Sequence, residues 1–260
     1  MGKFDGFMIF TDFDNTFTLP GGKEISKANI DAVRYFQKEG GLFTVATGRS
    51  PNFISLFEHV FRPNAPLITL NGTMITTPDG QTVLKEYQLG EDIMPLVEYL
   101  LTIPYMECVY FGNGETQYNR MMEGTLSEKM AYYRSLSKPW YKAVTRQPEE
   151  YAFELMADLE NRFGDRFAFD RSYSMGIEIH TLDSGKGACM DWVKAHLKQE
   201  ITTTVAVGDY ENDVSMFKRA DISYAVANAP EHVKKQAGRV TVRNDQDAMA
   251  LIIEELGKSV

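Results

Sequence analysis

Gly6-Phe7-Met8-Ile9-Phe10-Thr11-Asp12-Phe13-Asp14-Asn15-Thr16 decides how the rest of this chain is read. Its first five residues make an apolar run too short and too aromatic for a helix, and the run stops at polar residues, which is the pattern of a buried strand. On extended chain Asp12 and Asp14 point to the same side. Beyond this strand, from Ser26, Ile30, Val33 and Phe36 recur at helical spacing, and Gly40-Gly41 closes that helix. Leu42 to Ala46 reads as a second strand, Asn52 to Phe61 has helical periodicity, and Pro66 to Leu70 reads as a third strand. Strand, helix, strand, helix, strand predicts a parallel sheet covered on both faces. Asp12 and Asp14 then stand at its C-terminal edge, where such folds bind ligands.

After the third strand the rhythm changes. Asn71 to Thr77 and Val83 to Tyr87 flank Pro78-Asp79-Gly80 as a hairpin. A helix (Ile93 to Leu101), a strand (Glu107 to Phe111) and a long polar stretch come next. A further helix (Pro148 to Phe163) and two strands (Arg166 to Asp170, Gly176 to Leu182) complete an α+β pattern. The α/β rhythm then returns: helix Lys186 to Leu197, strand Thr203 to Val207, helix Asp213 to Lys218, strand Ile222 to Ala227. Helices Pro230 to Ala237 and Gln246 to Leu256 finish the chain around Val240-Thr241-Val242. The simplest architecture is one α/β domain, residues 1–82 and 184–260, interrupted by an inserted α+β domain, residues 83–183.

A length of 260 residues corresponds to roughly one or two domains. With 43% apolar and 24% charged residues the composition is ordinary for a globular protein and excludes collagen-like and low-complexity classes. A net charge of −9 argues against a nucleic-acid clamp, although it allows a small phosphorylated substrate if a cation is recruited locally. Cys108 and Cys189 form no CxxC and read as two reduced, buried thiols. The N-terminus has no signal-peptide core, and Gly6 stands where a myristoylation signal needs Ser or Thr. The longest uncharged run, Pro63 to Pro78, is broken by Asn and Thr and is no membrane span. The expectation is a soluble, cytoplasmic protein with no membrane partner.

Four segments carry chemistry. The first is Asp12-Phe13-Asp14, whose close carboxylates cannot both stay ionised in a dry pocket unaided; a hard cation with oxygen ligands, such as Mg²⁺, is one solution and a loop-capping pair is another. The second is Gly208-Asp209-Tyr210-Glu211-Asn212-Asp213 at the end of a strand. A helix cap accounts for Asn212 or Asp213 one at a time, but not for a carboxylate at each edge of the turn. The third is Thr47-Gly48-Arg49, a hydroxyl and free backbone N–H groups before a helix, suited equally to phosphate and to capping. The fourth is Lys186, between Gly185 and Gly187, a point charge where the helix dipole disfavours one. Together these segments bring carboxylates, a Thr and a Lys to the C-terminal ends of strands in one sheet.

In that order, DxDxT, Thr-Gly-Arg, Lys-Gly and GDxxND, the set resembles the haloacid dehalogenase superfamily of phosphohydrolases. The placement of the insert, Asn71-Gly72 and Ala227-Asn228-Ala229 are similar to the Cof-like (type IIB) branch with its large α+β cap. The resemblance covers residues 5–80 and 184–256; inside the insert it rests on size and element pattern. It implies a Rossmann-like core with a parallel sheet, and a Mg²⁺-dependent phosphatase of small phosphorylated metabolites, sugar phosphates foremost, working through an aspartyl-phosphate. Asp12 is implied as nucleophile and Asp14 as general acid and base. Thr47, Gly48, Arg49, Lys186 and Asn212 are implied as phosphate or substrate contacts, with Thr47 and Lys186 holding the transferring phosphoryl oxygens. Asp12, the backbone carbonyl of Asp14, Asp209 and Asp213 are implied around the metal. The cap is implied as a lid that excludes water and large substrates. Two positions depart from the branch: Asn15 replaces the usual Gly, and Asp247-Ala248-Met249-Ala250 replaces Asp-Gly-Val-Ala.

In the insert, His180 reads as a sheet histidine with a structural partner, and Trp140-Tyr141 and Tyr132-Tyr133 read as packing. Met121-Met122 reads as cap filler, and Arg120, Arg134 and Arg171 as candidate anchors for a second anionic group. The alternatives are a phosphomutase, a phospho-accepting receiver and a silent sugar-phosphate binder. A receiver needs no inserted lid, and a silent binder has no use for Asp12, Asp14, Lys186 and Asp209 together. The sequence leaves the natural substrate and the oligomeric state open.

Overall fold

The opening apolar run does form a strand in the computed structural model, which describes residues 2–113, 118–119 and 123–258. Arg120, Met121 and Met122 lie outside the described residues. In chain order the strands are β1 (Phe7–Thr11), β2 (Leu42–Val45), β3 (Leu67–Thr69), β4 (Met74–Thr76), β5 (Val83–Glu86), β6 (Cys108–Gly112) and β7 (Tyr118–Asn119). They continue with β8 (Lys142–Arg146), β9 (Phe167–Tyr173), β10 (Gly176–Thr181), β11 (Thr203–Gly208), β12 (Ile222–Ala225) and β13 (Arg239–Val240). The α-helices are α1 (Lys27–Lys38), α2 (Met94–Thr102), α3 (Leu126–Ser135), α4 (Ala152–Phe163), α5 (Lys186–His196), α6 (Val214–Phe217), α7 (Glu231–Lys234) and α8 (Ala248–Gly257). No helix among the described residues is long and apolar enough to cross a membrane.

The chain divides into two compact units, Met1–Lys85 with Lys186–Val260, and Glu86–Gly185. In the first, five strands in the order β13-β12-β11-β1-β2 run parallel throughout. All of β2 and all but the first residue of β1 are buried, so both faces of the sheet are covered, as a parallel sheet requires. Ser26 caps α1 by accepting from the Asn29 N–H, and Ile30, Val33 and Phe36 turn inward from it. Beneath the end of β1 lies an aromatic cluster in which Phe13 meets Phe53 and Phe57 edge-on at centroid distances of 5.0 and 4.8 Å.

Two expectations for this unit are corrected. The third strand, β3, is not a full member of the parallel sheet. It touches that sheet through one bridge, Ala46 to Ile68, and pairs antiparallel with β4 in a separate sheet ordered β3-β4-β5. Leu70, Asn71 and Gly72 follow with φ of 53°, 58° and 88°, so the chain reverses at once and the second arm of the hairpin starts only at Met74. The Asn52 to Phe61 segment is a 3₁₀ turn, Pro51–Leu56, followed by turns rather than an α-helix. Phe53, Phe57 and Phe61 are all buried, so the spacing reports an inward aromatic face and not regular α-helical hydrogen bonding.

The second unit contains a five-stranded sheet, β7-β6-β8-β10-β9, paired antiparallel. Ile177 and Ile179 of β10, Ala143 of β8 and Val109 and Phe111 of β6 join α2, α3 and α4 in one apolar core. The segment read as a polar stretch contains α3, opened by a capping box between Thr125 and Glu128, and β8, the middle strand.

Candidate active site

Three chain ends meet at the C-terminal edge of the parallel sheet. The ladder continues one residue beyond β1, where the Asp12 N–H donates to Val207 O at 2.8 Å, and this plants Asp12 beside β11. The last residue of β11, Gly208, leads directly into Asp209. A Cβ on Gly208 would lie 2.4 Å from the Asp213 carboxyl carbon, so this turn closes only on glycine. The third end is the start of α5, from which the fully buried Lys186 reaches in.

Oxygens of Asp12, Asp209 and Asp213 all lie within 4.8 Å of one another. Lys186 Nζ donates to Asp12 Oδ1 at 2.6 Å and to Asp213 Oδ1 at 2.7 Å. Asp213 Oδ2 accepts from the Asp209 and Tyr210 N–H groups at 2.9 and 3.1 Å, so this carboxylate also ties down the loop. Three carboxylates therefore share one ammonium. Burial pushes Asp12 up to about 7; Lys186 opposes the shift, and the charge of Asp213 adds to it. Asp209 is likewise held well above the carboxylate range by burial and by the charges of Asp12 and Asp213. Burial lowers Lys186, but the charges of Asp12 and Asp213 outweigh it and hold the amine above its ordinary value. An all-oxygen, acidic, largely buried trio fits a hard divalent cation, whose charge relieves this crowding.

Asp14 stands at the rim of this pocket, and its charge adds to the rise of Asp12. The chain turns after Asp12 in place of continuing as strand: Phe13 to Phe17 form a wide turn closed by the Thr18 N–H on Phe13 O at 2.9 Å. The Asp14 carboxylate meets Arg49, and its side chain remains 41% exposed. Asn15 sits in the turn at φ 58°, a left-handed conformation that asparagine tolerates, so the departure from glycine keeps a glycine-like backbone. Asn228 Nδ2 donates to Asn15 O at 2.9 Å. Asp247, the other departure, is also left-handed, at φ 59°, just before α8.

Thr47 is buried, and its hydroxyl accepts from the Arg49 N–H at 3.2 Å. Its loop is interlocked with the reversal after β3: Leu70 N–H donates to Arg49 O and Asn71 N–H to Thr47 O, both at 2.9 Å. Asn71 then links two further loops, because Asn212 Nδ2 donates to Asn71 Oδ1 at 3.1 Å and the Asn71 side chain faces Gly48. Asn212 is accordingly buried in this bridge. Sequence reasoning gave no role to Asn71 or to Thr16, whose hydroxyl donates to Asp209 Oδ1 at 3.2 Å. Thr16 was visible as the last letter of DxDxT and Asn71 as part of Asn71-Gly72, but the bridging role of Asn71 depends on loops far apart in sequence. Cys108 and Cys189 are both buried and in no disulfide.

In the inserted unit, His180 is buried between Asp170 Oδ2, 2.9 Å from Nε2, and Ser184 Oγ, 2.8 Å from Nδ1. Burial lowers its pKa, but the hydrogen bond and charge of Asp170 prevail and hold it above the ordinary value. Lys142 Nζ donates to Glu178 Oε2 at 2.7 Å, and Glu178 also accepts from Ser172. Trp140 and Tyr133 are core residues, and Tyr141 is buried. Of the candidate anchors, Arg171 is buried, donating to Ser174 O beside the ring of Phe153, whereas Arg134 is exposed.

Residues 9–253 match the model of the haloacid dehalogenase-like hydrolases. A putative phosphatase of Haemophilus influenzae is 24% identical over 258 residues, 95% of this chain and 97% of that protein. Among solved structures, the phosphatase BT1666 of Bacteroides thetaiotaomicron aligns with a TM-score of 0.79 at 19% identity, over 98% of this chain and 96% of that one. The subclass IIB sugar phosphatase BT4131 aligns at 0.76 and 20%, over 96% and 98%. At these identities the structural likeness shows the fold.

Proposed function

The chain belongs to the haloacid dehalogenase-like hydrolases, and from that premise we propose that it hydrolyses phosphoric monoesters of small metabolites, sugar phosphates foremost, with Mg²⁺ and through an aspartyl-phosphate on Asp12. One observation carries this reading: three carboxylates and a buried lysine converge where β1 and β11 end. The names of the similar proteins support the phosphatase activity, and the name of BT4131 supports the sugar class.

In this reading an Asp12 oxygen attacks phosphorus and the ester oxygen leaves with a proton from Asp14. Water then attacks the phosphorus of the aspartyl-phosphate, Asp14 takes its proton, and phosphate departs as the Asp12 carboxylate is released. An anionic nucleophile and an anionic ester repel each other, and Lys186 reduces that cost from within the pocket. In this reading Thr47 and the backbone around Gly48 hold phosphoryl oxygens, while Arg49 binds Asp14 and Asn212 binds Asn71. Asp12, Asp209 and the Asp14 carbonyl would hold the cation, with Asp213 in support while it fixes the loop. When bound, Mg²⁺ supplies the positive charge that three carboxylates lack.

The test is phosphate release from a panel of phosphate esters with Mg²⁺ and with EDTA. Release that needs Mg²⁺ and disappears in Asp12→Asn is the expected result; an Asp12→Asn variant with full activity rejects the reading. Isomerised sugar phosphate with little free phosphate points to a mutase instead.

A further inference from the structure

We propose that Arg49 is a positioning residue that fixes Asp14 for the second half of the reaction, in a cradle closed by Gly22. The inference rests on the reading above and deepens it. Arg49 grips Asp14 with a two-pronged fork, Nε to Oδ2 at 2.9 Å and Nη2 to Oδ1 at 2.6 Å. The same Nη2 donates to Gly22 O at 2.7 Å. The guanidinium also lies over aromatic rings, 4.9 Å from the centroid of Phe13 and 5.6 Å from that of Phe57.

Gly22 sits at φ +67°, and a Cβ there would stand 2.3 Å from Asp14 Oδ1 and 2.7 Å from Arg49 Nη2. The loop thus closes onto the ion pair from a left-handed backbone that favours glycine, and a side chain here would push the fork aside. Three of the five guanidinium N–H donors are committed to Asp14 and Gly22, which orients Arg49 toward the carboxylate and away from a substrate phosphate. Each Asp14 oxygen retains acceptor capacity, and the side chain stays 41% exposed, open to an incoming water.

In hydrolysis of the phosphoenzyme the water oxygen forms the new bond to phosphorus and its proton passes to the Asp14 carboxylate. The P–O bond to Asp12 breaks, and its electron pair stays on the Asp12 carboxylate. A carboxylate free to rotate presents a lone pair to that water only part of the time; a forked partner removes the search. Formation of the phosphoenzyme from an aryl phosphate makes little demand on Asp14, because nitrophenolate leaves without a proton.

The experiment is rapid-mixing kinetics of the full chain on p-nitrophenyl phosphate with Mg²⁺, comparing wild type, Arg49→Gln, Arg49→Lys and, as an independent disturbance of the cradle, Gly22→Ala. A positioning role predicts a burst approaching one nitrophenolate per chain in Arg49→Gln and Gly22→Ala. The steady rate then falls about 10- to 100-fold. KM falls with kcat, so kcat/KM stays within about threefold of wild type. Arg49→Lys, which keeps the charge and loses the fork, lies between. A substrate anchor predicts the reverse, with a lowered kcat/KM and no burst, and that result overturns the proposal, as does an unchanged kcat. A wild-type chain that releases no nitrophenolate overturns the phosphatase reading and this assignment with it.

Discussion

The two units handle buried charge in opposite ways. In the inserted unit Lys142 faces Glu178 and His180 faces Asp170, one charge against one, within adjacent strands of a single sheet. At the end of the parallel sheet three carboxylates crowd around one lysine, and burial with mutual repulsion drives Asp12 and Asp209 upward. A matched pair is complete as it stands and does structural work. An excess of one sign is a stored demand for something of the other sign, and that separates a binding site from a sheet contact.

The sharpest way to break the contrast is to remove one carboxylate from the crowded cluster. Asp12→Asn should lower turnover of any accepted phosphate ester by about 10³-fold or more while leaving the chain folded, as measured by phosphate release and circular dichroism. Retained activity would make the cluster structural, like its counterpart. In the insert the reverse holds. Lys142→Met leaves Glu178 buried without its lysine and should cost about 3–5 kcal/mol in urea unfolding, whereas the double variant Lys142→Met/Glu178→Leu should recover much of that loss. No recovery would show that the pair does more than satisfy itself.

A cation discriminates the regions again. Mg²⁺ at about 100 times its dissociation constant should stabilise the chain by about 2.7 kcal/mol, through the crowded cluster alone. Thermal unfolding with and without EDTA measures this, and Asp209→Asn should erase the difference. The smallest effect concerns His180. Its pKa is raised in the folded chain, so its pairing with Asp170 contributes stability that is fully present below the ordinary value of 6.5 and is lost as pH rises through the folded value. Asp170→Asn should remove that slope at a cost on the order of 1 kcal/mol at low pH. Denaturation across about pH 5 to 8, where histidine titrates, would detect a slope of the wrong sign.

Legibility followed the same division. β1, α1 and β11 could be read because apolar spacing and caps are local, and each coincides with burial on one side or both. β8 could not. It begins with a lysine that reads as solvent-facing, yet Lys142 is buried because Glu178 waits 36 residues later on β10. β3 was readable as a strand but not as an antiparallel one, since its partner is chosen by the left-handed reversal at Leu70, Asn71 and Gly72.

For the site, spacing alone brought Asp12, Asp209, Asp213 and Lys186 to one sheet edge, because strand order and the crossover rule leave those strand ends nowhere else to go. Tertiary structure decided the division of labour among them. Asp14 is held by Arg49, Asp213 is shared between Lys186 and its own loop, and Asn71 joins the loops at Gly48 and Asn212. Such choices depend on distances of a few ångströms between residues up to 141 positions apart. Pattern and propensity carry only local information, whereas these contacts are settled by how the packed loops share their donors and acceptors.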